Sequence, residues 1–167
     1  DHTVPSMSFV VVEHRKKLLK KYQGLPQEQL RDLKISGTEI TQTLKVPLVA
    51  YTGDTCIGDH LYREEFTNAT PVLTECTFFE EEHKKRSVGG KHLHVEDLKE
   101  LLAVWGAENI VIIHTSRRTT MEKVVDFIKT SLGSEDASRV HLLMDHRTNR
   151  LRYEKQRIDS EDVGEGA

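Results

Sequence analysis

Apolar positions along this chain follow two different periods. Five short runs lack helical spacing and carry β-branched or aromatic residues, which predicts strands over residues 7–13, 46–51, 71–74, 109–113 and 140–144. Pro47 is expected near the start of its strand, where a missing N–H does least harm. Two longer segments repeat at three and four residues instead. Val95, Leu98, Leu101, Leu102 and Trp105 predict a helix over residues 95–105, and Val124, Val125, Phe127 and Ile128 predict another over 119–132 that Gly133 ends. Strands and helices alternating between residues 46 and 144 predict an α/β layer arrangement. The strands at 46–51 and 109–113 have no polar face. Leu48 and Ala50 point to one side, Val49 and Tyr51 to the other, and Ile110, Val111, Ile112 and Ile113 are apolar throughout. Such strands need cover on both faces, and the two helices can cover only one.

The polar stretches between these runs predict less order. Residues 14–43 are charged, with Arg15, Lys16, Lys17, Lys20 and Lys21 clustered, and predict one or two short helices whose basic face is either plain solvated surface or a place for phosphate. Residues 57–67 predict a loop with a short helix, and residues 80–86 with Gly89 and Gly90 predict a mobile loop. Beyond the last strand, residues 145–149 predict a turn and 151–153 a strand pairing back as a hairpin. The acidic, small-residue end at 159–167 predicts a disordered tail, which leaves 1–158 as one structural unit.

Charge and cysteine usage narrow the class. With 24 basic and 27 acidic residues the net charge is −3, which argues against a general nucleic-acid-coating protein and leaves room for a local basic patch. At 167 residues and 37% apolar content the chain can bury one core. No apolar run approaches the roughly 20 residues of a membrane span, so no membrane partner is expected. Cys56 and Cys76 have no zinc-finger spacing and read as reduced thiols of an intracellular protein, its compartment left open.

Four stretches carry candidate chemistry: Asp1-His-Thr-Val-Pro-Ser6, Gly53-Asp54-Thr55, Leu73-Thr-Glu-Cys-Thr-Phe78 and Ile110-Val-Ile-Ile-His-Thr-Ser-Arg-Arg118. Each alone has a plainer explanation. Asp54 could cap the next segment, Glu75 could be a surface or capping acid, and His114 could merely bond backbone. In this order, however, they resemble the second half of a metallo-β-lactamase-fold hydrolase of the ribonuclease Z (tRNase Z) type. That resemblance implies an αββα sandwich of which this chain supplies the carboxy-terminal half, with His2, Asp54 and His114 as ligands of a two-zinc centre. It further implies hydrolysis of a phosphodiester by a zinc-bound hydroxide, with His92 protonating the leaving oxygen, Glu75 orienting His92, and Ser116 and Arg118 contacting phosphate. Register back from His114 assigns the family's helix-opening histidine to His92, and leaves His94 as a helix-terminal or solvent-facing residue.

Three departures accompany the resemblance. The family's opening His-x-His-x-Asp-His signature is absent, and the chain starts without Met, so it is expected to be part of a longer protein that is inactive without its amino-terminal half. Alanine in the family's Glu-Ala-Thr-Phe stretch is replaced by Cys76. The protruding glycine-rich arm of many tRNA-processing members is missing, and Tyr22-Gln-Gly-Leu-Pro26 with Leu33-Lys-Ile-Ser-Gly-Thr38 reads as a compact lid or connector. Expected partners are therefore an RNA such as a tRNA precursor or a small phosphodiester, ester or thioester, together with the missing half-domain. A homodimer and a catalytically silent interaction module remain open. The Asp145-His146 pair has no counterpart in the family motifs and reads as surface.

Overall fold

A five-stranded mixed sheet organises the computed structural model, which describes residues 1–164. The strands lie in chain order: β1 (Phe9–Leu18), β2 (Thr41–Tyr51), β3 (Pro71–Glu75), β4 (Asn109–His114) and β5 (Val140–Leu142). β1 pairs antiparallel with β2, and β2, β3, β4 and β5 pair parallel. All five expected strands form, though with other bounds: β2 begins at Thr41, five residues before Val46. β5 stops at Leu142, and β1 runs on through the charged residues 14–17, where helix was expected. A continuous ladder from Val12↔Pro47 to Leu18↔Thr41 satisfies that backbone, so the charged side chains can stand in solvent on both faces. Pro47 sits mid-strand rather than at the start. The register shifts there, with Val11 opposite Val49 and Val12 opposite Pro47, and a bulge of this kind tolerates a residue without an N–H.

One face of the sheet is the core. Ala50, Val72, Ile110, Ile112, Val140 and Leu142 are buried on it against two helices, α4 (Val95–Leu102) and α5 (Met121–Arg139), with Leu61, Phe66, Phe79, Leu93 and Trp105 filling between. The opposite face is not closed. Phe9 and Val11 are more than half exposed, their cross-strand partners Tyr51 and Val49 are only partly buried, and Leu73, Val111 and Ile113 continue the apolar strip. Phe9 stacks on Tyr51 at 6.2 Å, so the strip is ordered although open.

Beyond the bulge, β1 and β2 leave the sheet as a two-stranded ribbon, since β3 pairs β2 only at Ala50 and Tyr51. At its far end, Leu19 N–H to the Ile40 carbonyl (2.9 Å) closes a tip that carries α1 (Gln27–Ile35), a helix with no buried residue. The compact lid expected here is thus a protruding arm. Residues 14–45 hold eight basic residues against three acidic ones, in a chain whose net charge is −3.

Three further expectations change. The loop at 80–90 is a 3-10 turn (Glu81–His83) followed by α3 (Lys84–Gly90), ended by Lys91 in the left-handed conformation. The helix at 95–105 closes at Leu102, while Trp105 turns into the core and donates its indole N–H to the Leu61 carbonyl at 2.8 Å. The turn and hairpin strand at 145–153 are instead α6 (His146–Gly164), into which the expected boundary at residue 158 falls; residues 165–167 of the acidic tail lie outside the described residues. Asp145 explains the start of α6. Its carboxylate accepts the Thr148 N–H (3.1 Å), a cap that a hairpin turn does not need, and Asn149 Nδ2 ties the helix to the Leu142 and Leu143 carbonyls. Gly133 (φ 75°) breaks α5 where its helix was expected to end, although a second helical piece follows. A short α2 (Glu64–Thr67) completes the molecule.

Candidate active site

Parallel pairing brings the carboxyl ends of β2, β3 and β4 to one edge, and antiparallel β1 starts there, with Phe9 opposite Tyr51. Asp54, Glu75 and His114 follow or end three neighbouring strands, and His2 precedes the fourth. Asp54 is delivered by Gly53, whose φ of 65° and close approach to the Met7 carbonyl leave no space for a side chain. A Cβ there would lie 2.6 Å from that oxygen.

Glu75 is the centre of the polar network. It is fully buried, yet its carboxylate accepts the Thr55 N–H (3.0 Å), the Thr77 N–H (3.1 Å), the Thr77 hydroxyl (2.7 Å) and His92 Nδ1–H (2.9 Å). Four donors around one buried carboxylate offset its desolvation. The same bonds fix two tautomers. Because His92 donates through Nδ1, its Nε2 is left facing outward. Because the single Thr77 hydroxyl proton goes to Glu75, the Thr77 oxygen accepts from His114 Nδ1–H (2.7 Å), and His114 also presents Nε2. The His92 and His114 rings lie 5.4 Å apart.

His92 Nε2 lies 3.2 Å from His2 Nε2. Donor atoms of His2, Asp54 and His92 fall within 4.8 Å of one another, and so do those of Glu75, His92 and His114. His92 is therefore the hub, with His2 and Asp54 on one side and His114 on the other. The imidazole of His2 and the carboxylate of Asp54, together at this edge, are donors of the kind that zinc takes, and His92 stands beside them. Beside His114 opens a cleft lined by Thr77, Phe78, Ser116, Arg118 and His146 among others. Ser116 N–H is fixed on the Thr77 carbonyl (3.0 Å), its hydroxyl accepts the Arg118 N–H (3.2 Å), and the Arg118 side chain is exposed.

His94 is the helix-terminal residue that the register required, but it is not solvent-facing. It is 4% exposed and forms a capping box at α4: Nδ1 accepts the Glu96 N–H while Asp97 accepts the His94 N–H at 2.8 Å. Nothing in the sequence marks Thr55 or Thr77 as a site residue, and His146, which reads there as plain surface, lines the cleft. Thr77 was visible only as part of the Glu-Cys-Thr stretch. A threonine at a strand end is usually just a strand former, so nothing in its type marks it.

A protein named tRNase Z TRZ1 from Arabidopsis thaliana is 32% identical over 134 residues, 76% of this chain and 46% of the relative. Over three quarters of its length the chain is a homologue of tRNase Z. The chloroplastic tRNase Z TRZ2 of the same plant is 33% identical over 129 residues, 74% of this chain and 36% of that protein. A nuclear ribonuclease Z of Triticum aestivum is 44% identical over 43 residues, 26% of this chain and 24% of its own length. No family model matches the chain. The chain thus spans less than half the length of the tRNase Z relatives it matches. Among the described residues no helix is long and apolar enough to cross a membrane.

Proposed function

We propose that this chain is the carboxy-terminal half of an αββα metallo-β-lactamase-type domain, and that the whole domain is a zinc-dependent endoribonuclease acting on tRNA precursors. The observation that carries the reading is the His92 hub. Its Nδ1 is locked on buried Glu75 while its Nε2 faces His2 and Asp54 at the open edge of the sheet. His2, Asp54 and His114 are the residues that would hold two zinc ions together with ligands from the missing half. Such ions would stabilise charge on the phosphate oxygens and lower the pKa of the attacking water.

The chain's own residues supply the rest. Glu75 holds His92 through Nδ1, which aims Nε2 at the open edge, where it would give a proton to the departing oxygen. Thr77 orients His114, and Ser116 with Arg118 receives the phosphate. The protruding basic arm supports RNA over a small ester, since a compact phosphodiester or thioester has no use for eight basic residues remote from the site.

The test uses the full-length protein that carries this chain. Asp54→Ala is expected to lower both metal content and cleavage of a tRNA precursor. His92→Ala is expected to leave metal content near normal and to cut turnover roughly a hundredfold or more, the range of a general acid. Metal loss from His92→Ala would instead make His92 a ligand.

A further inference from the structure

The cleft beside His114 does not end at Arg118. His146, at the start of α6, lines it together with Arg117, Arg118 and Met144, and the same His146 lines an adjoining cleft with Arg147, Arg150, Leu151 and Glu154. Two depressions that share one residue form a continuous path from the phosphate-contacting loop onto α6. Helical spacing aligns it: residues 146, 150 and 153 fall within about 60° of one another, with 147 at the flank. Tyr153 is 67% exposed and Leu151 61%, on a helix that Asp145 and Asn149 anchor to the end of β5. Exposed arginines followed by an exposed aromatic ring, on a helix that leads away from that loop, match the chemistry of an unpaired RNA strand. Guanidinium groups meet its phosphates, and bases stack on the ring. A duplex would offer no base face to Tyr153.

We propose that the α6 face bearing His146, Arg147, Arg150 and Tyr153 is a track for the unpaired flank of the RNA whose phosphodiester lies at Arg118. The proposal rests on the RNA-processing reading for its place beside the cut, and adds to it a single-strand site separate from the basic arm. Glu154 tempers the track. Its carboxylate takes Arg150 Nε at 2.9 Å, so the strand must compete for that arginine.

The experiment measures fluorescence anisotropy of a labelled unpaired RNA of about a dozen nucleotides, and of a blunt duplex, on the full-length protein. Arg147→Ala/Arg150→Ala is expected to weaken single-strand binding roughly tenfold and to flatten its log–log salt slope by about 1.4, close to 0.7 per lost contact. Tyr153→Ala is expected to weaken it at least fivefold or so, the lower end of a lost stacking interaction. Glu154→Gln should tighten it. Arg147, Arg150 and Tyr153 are exposed, and circular dichroism checks that α6 persists. Unchanged single-strand binding in the arginine and tyrosine variants, or equal losses for the duplex, would overturn the track. Cleavage is followed in parallel on a small aryl phosphodiester and on RNAs with long and short unpaired flanks. The variants should lose kcat/KM only on the long flank. A wild-type protein that binds the strand through α6 yet cleaves none of these would sink the nuclease reading while leaving the track in place.

Discussion

At the scale of single residues, the site depends on where one proton sits. Thr77 has one hydroxyl hydrogen and gives it to Glu75, which makes its oxygen the acceptor that orients His114. Thr77→Val keeps the shape and removes both bonds. It should cost about 1–3 kcal/mol of stability, because a buried carboxylate oxygen loses one of its two donors and His114 Nδ1–H loses its acceptor. Urea unfolding reads the loss, and a change under half a kilocalorie would mean that the hydroxyl is redundant. His94→Ala should likewise cost stability, about 0.5–2 kcal/mol as a lost helix cap, while leaving the chemistry of His92 in place. Unfolding and turnover measured on the same variant separate those effects. His141 supplies a pH dependence. Burial, and secondarily Arg152, pushes its pKa below the ordinary histidine value. The unfolded chain then takes up that proton first, so stability falls as pH drops from about 6.5 to the folded value and levels off below it. Thermal midpoints across this window should slope less in His141→Asn than in the parent; identical slopes would refute the assignment. His2, Asp54, Glu75, His92 and His114 stand out in the sequence through the order of their stretches and the family resemblance, and the apolar runs and the helix that they adjoin explain why they meet at one edge. The two threonines do not, since their role is a hydrogen direction that no residue type encodes.

At the scale of elements, the crossing at Gly53 is the tightest constraint. A Cβ there would meet the Met7 carbonyl at 2.6 Å and the Ser6 hydroxyl at 2.7 Å, in a φ that L-residues avoid. Gly53→Ala should therefore push Asp54 off the edge or the 6–7 segment off β2, with loss of metal affinity in the full-length protein. Metal affinity equal to the parent's would show that the turn relaxes without moving Asp54. Apolar strands and helices were readable because burial imposes their period. The charged half of β1 was not, because a strand exposed on both faces has no apolar period to show, and only its ladder to β2 makes it a strand. α6 was hidden for a similar reason. Its residues 146–157 are mostly exposed, so helix here is set by the Asp145 cap and the Asn149 tether rather than by a buried stripe.

At the scale of the molecule, the sheet has one covered face and one open one, as strands apolar on both sides require when only one layer of helices is present. An apolar strip running from Phe9 and Val11 across Tyr51 and Leu73 to Val111 and Ile113 is unusual on a chain that stands alone. The 167-residue chain by itself should therefore bind a hydrophobic dye strongly and self-associate; on the half-domain reading, supplying the other half-domain should abolish both. A monomer with no dye binding would defeat the half-domain reading. The half-domain reading predicts that isothermal titration finds no tight uptake of two zinc ions by the isolated chain, with His2, Asp54 and His114 alone too few for two complete coordination shells. The ribbon has a separate consequence, for kinetics. Outside the sheet, residues 12–18 and 41–47 have only each other, and an isolated two-stranded ladder is marginal in water. Amide hydrogens along it should exchange with solvent orders of magnitude faster than those of Val72 or Ile110, with the break in protection falling at the Pro47 bulge. Opening and closing of the arm is then free of the sheet's cooperative unfolding, and the bulge is the pivot about which it swings.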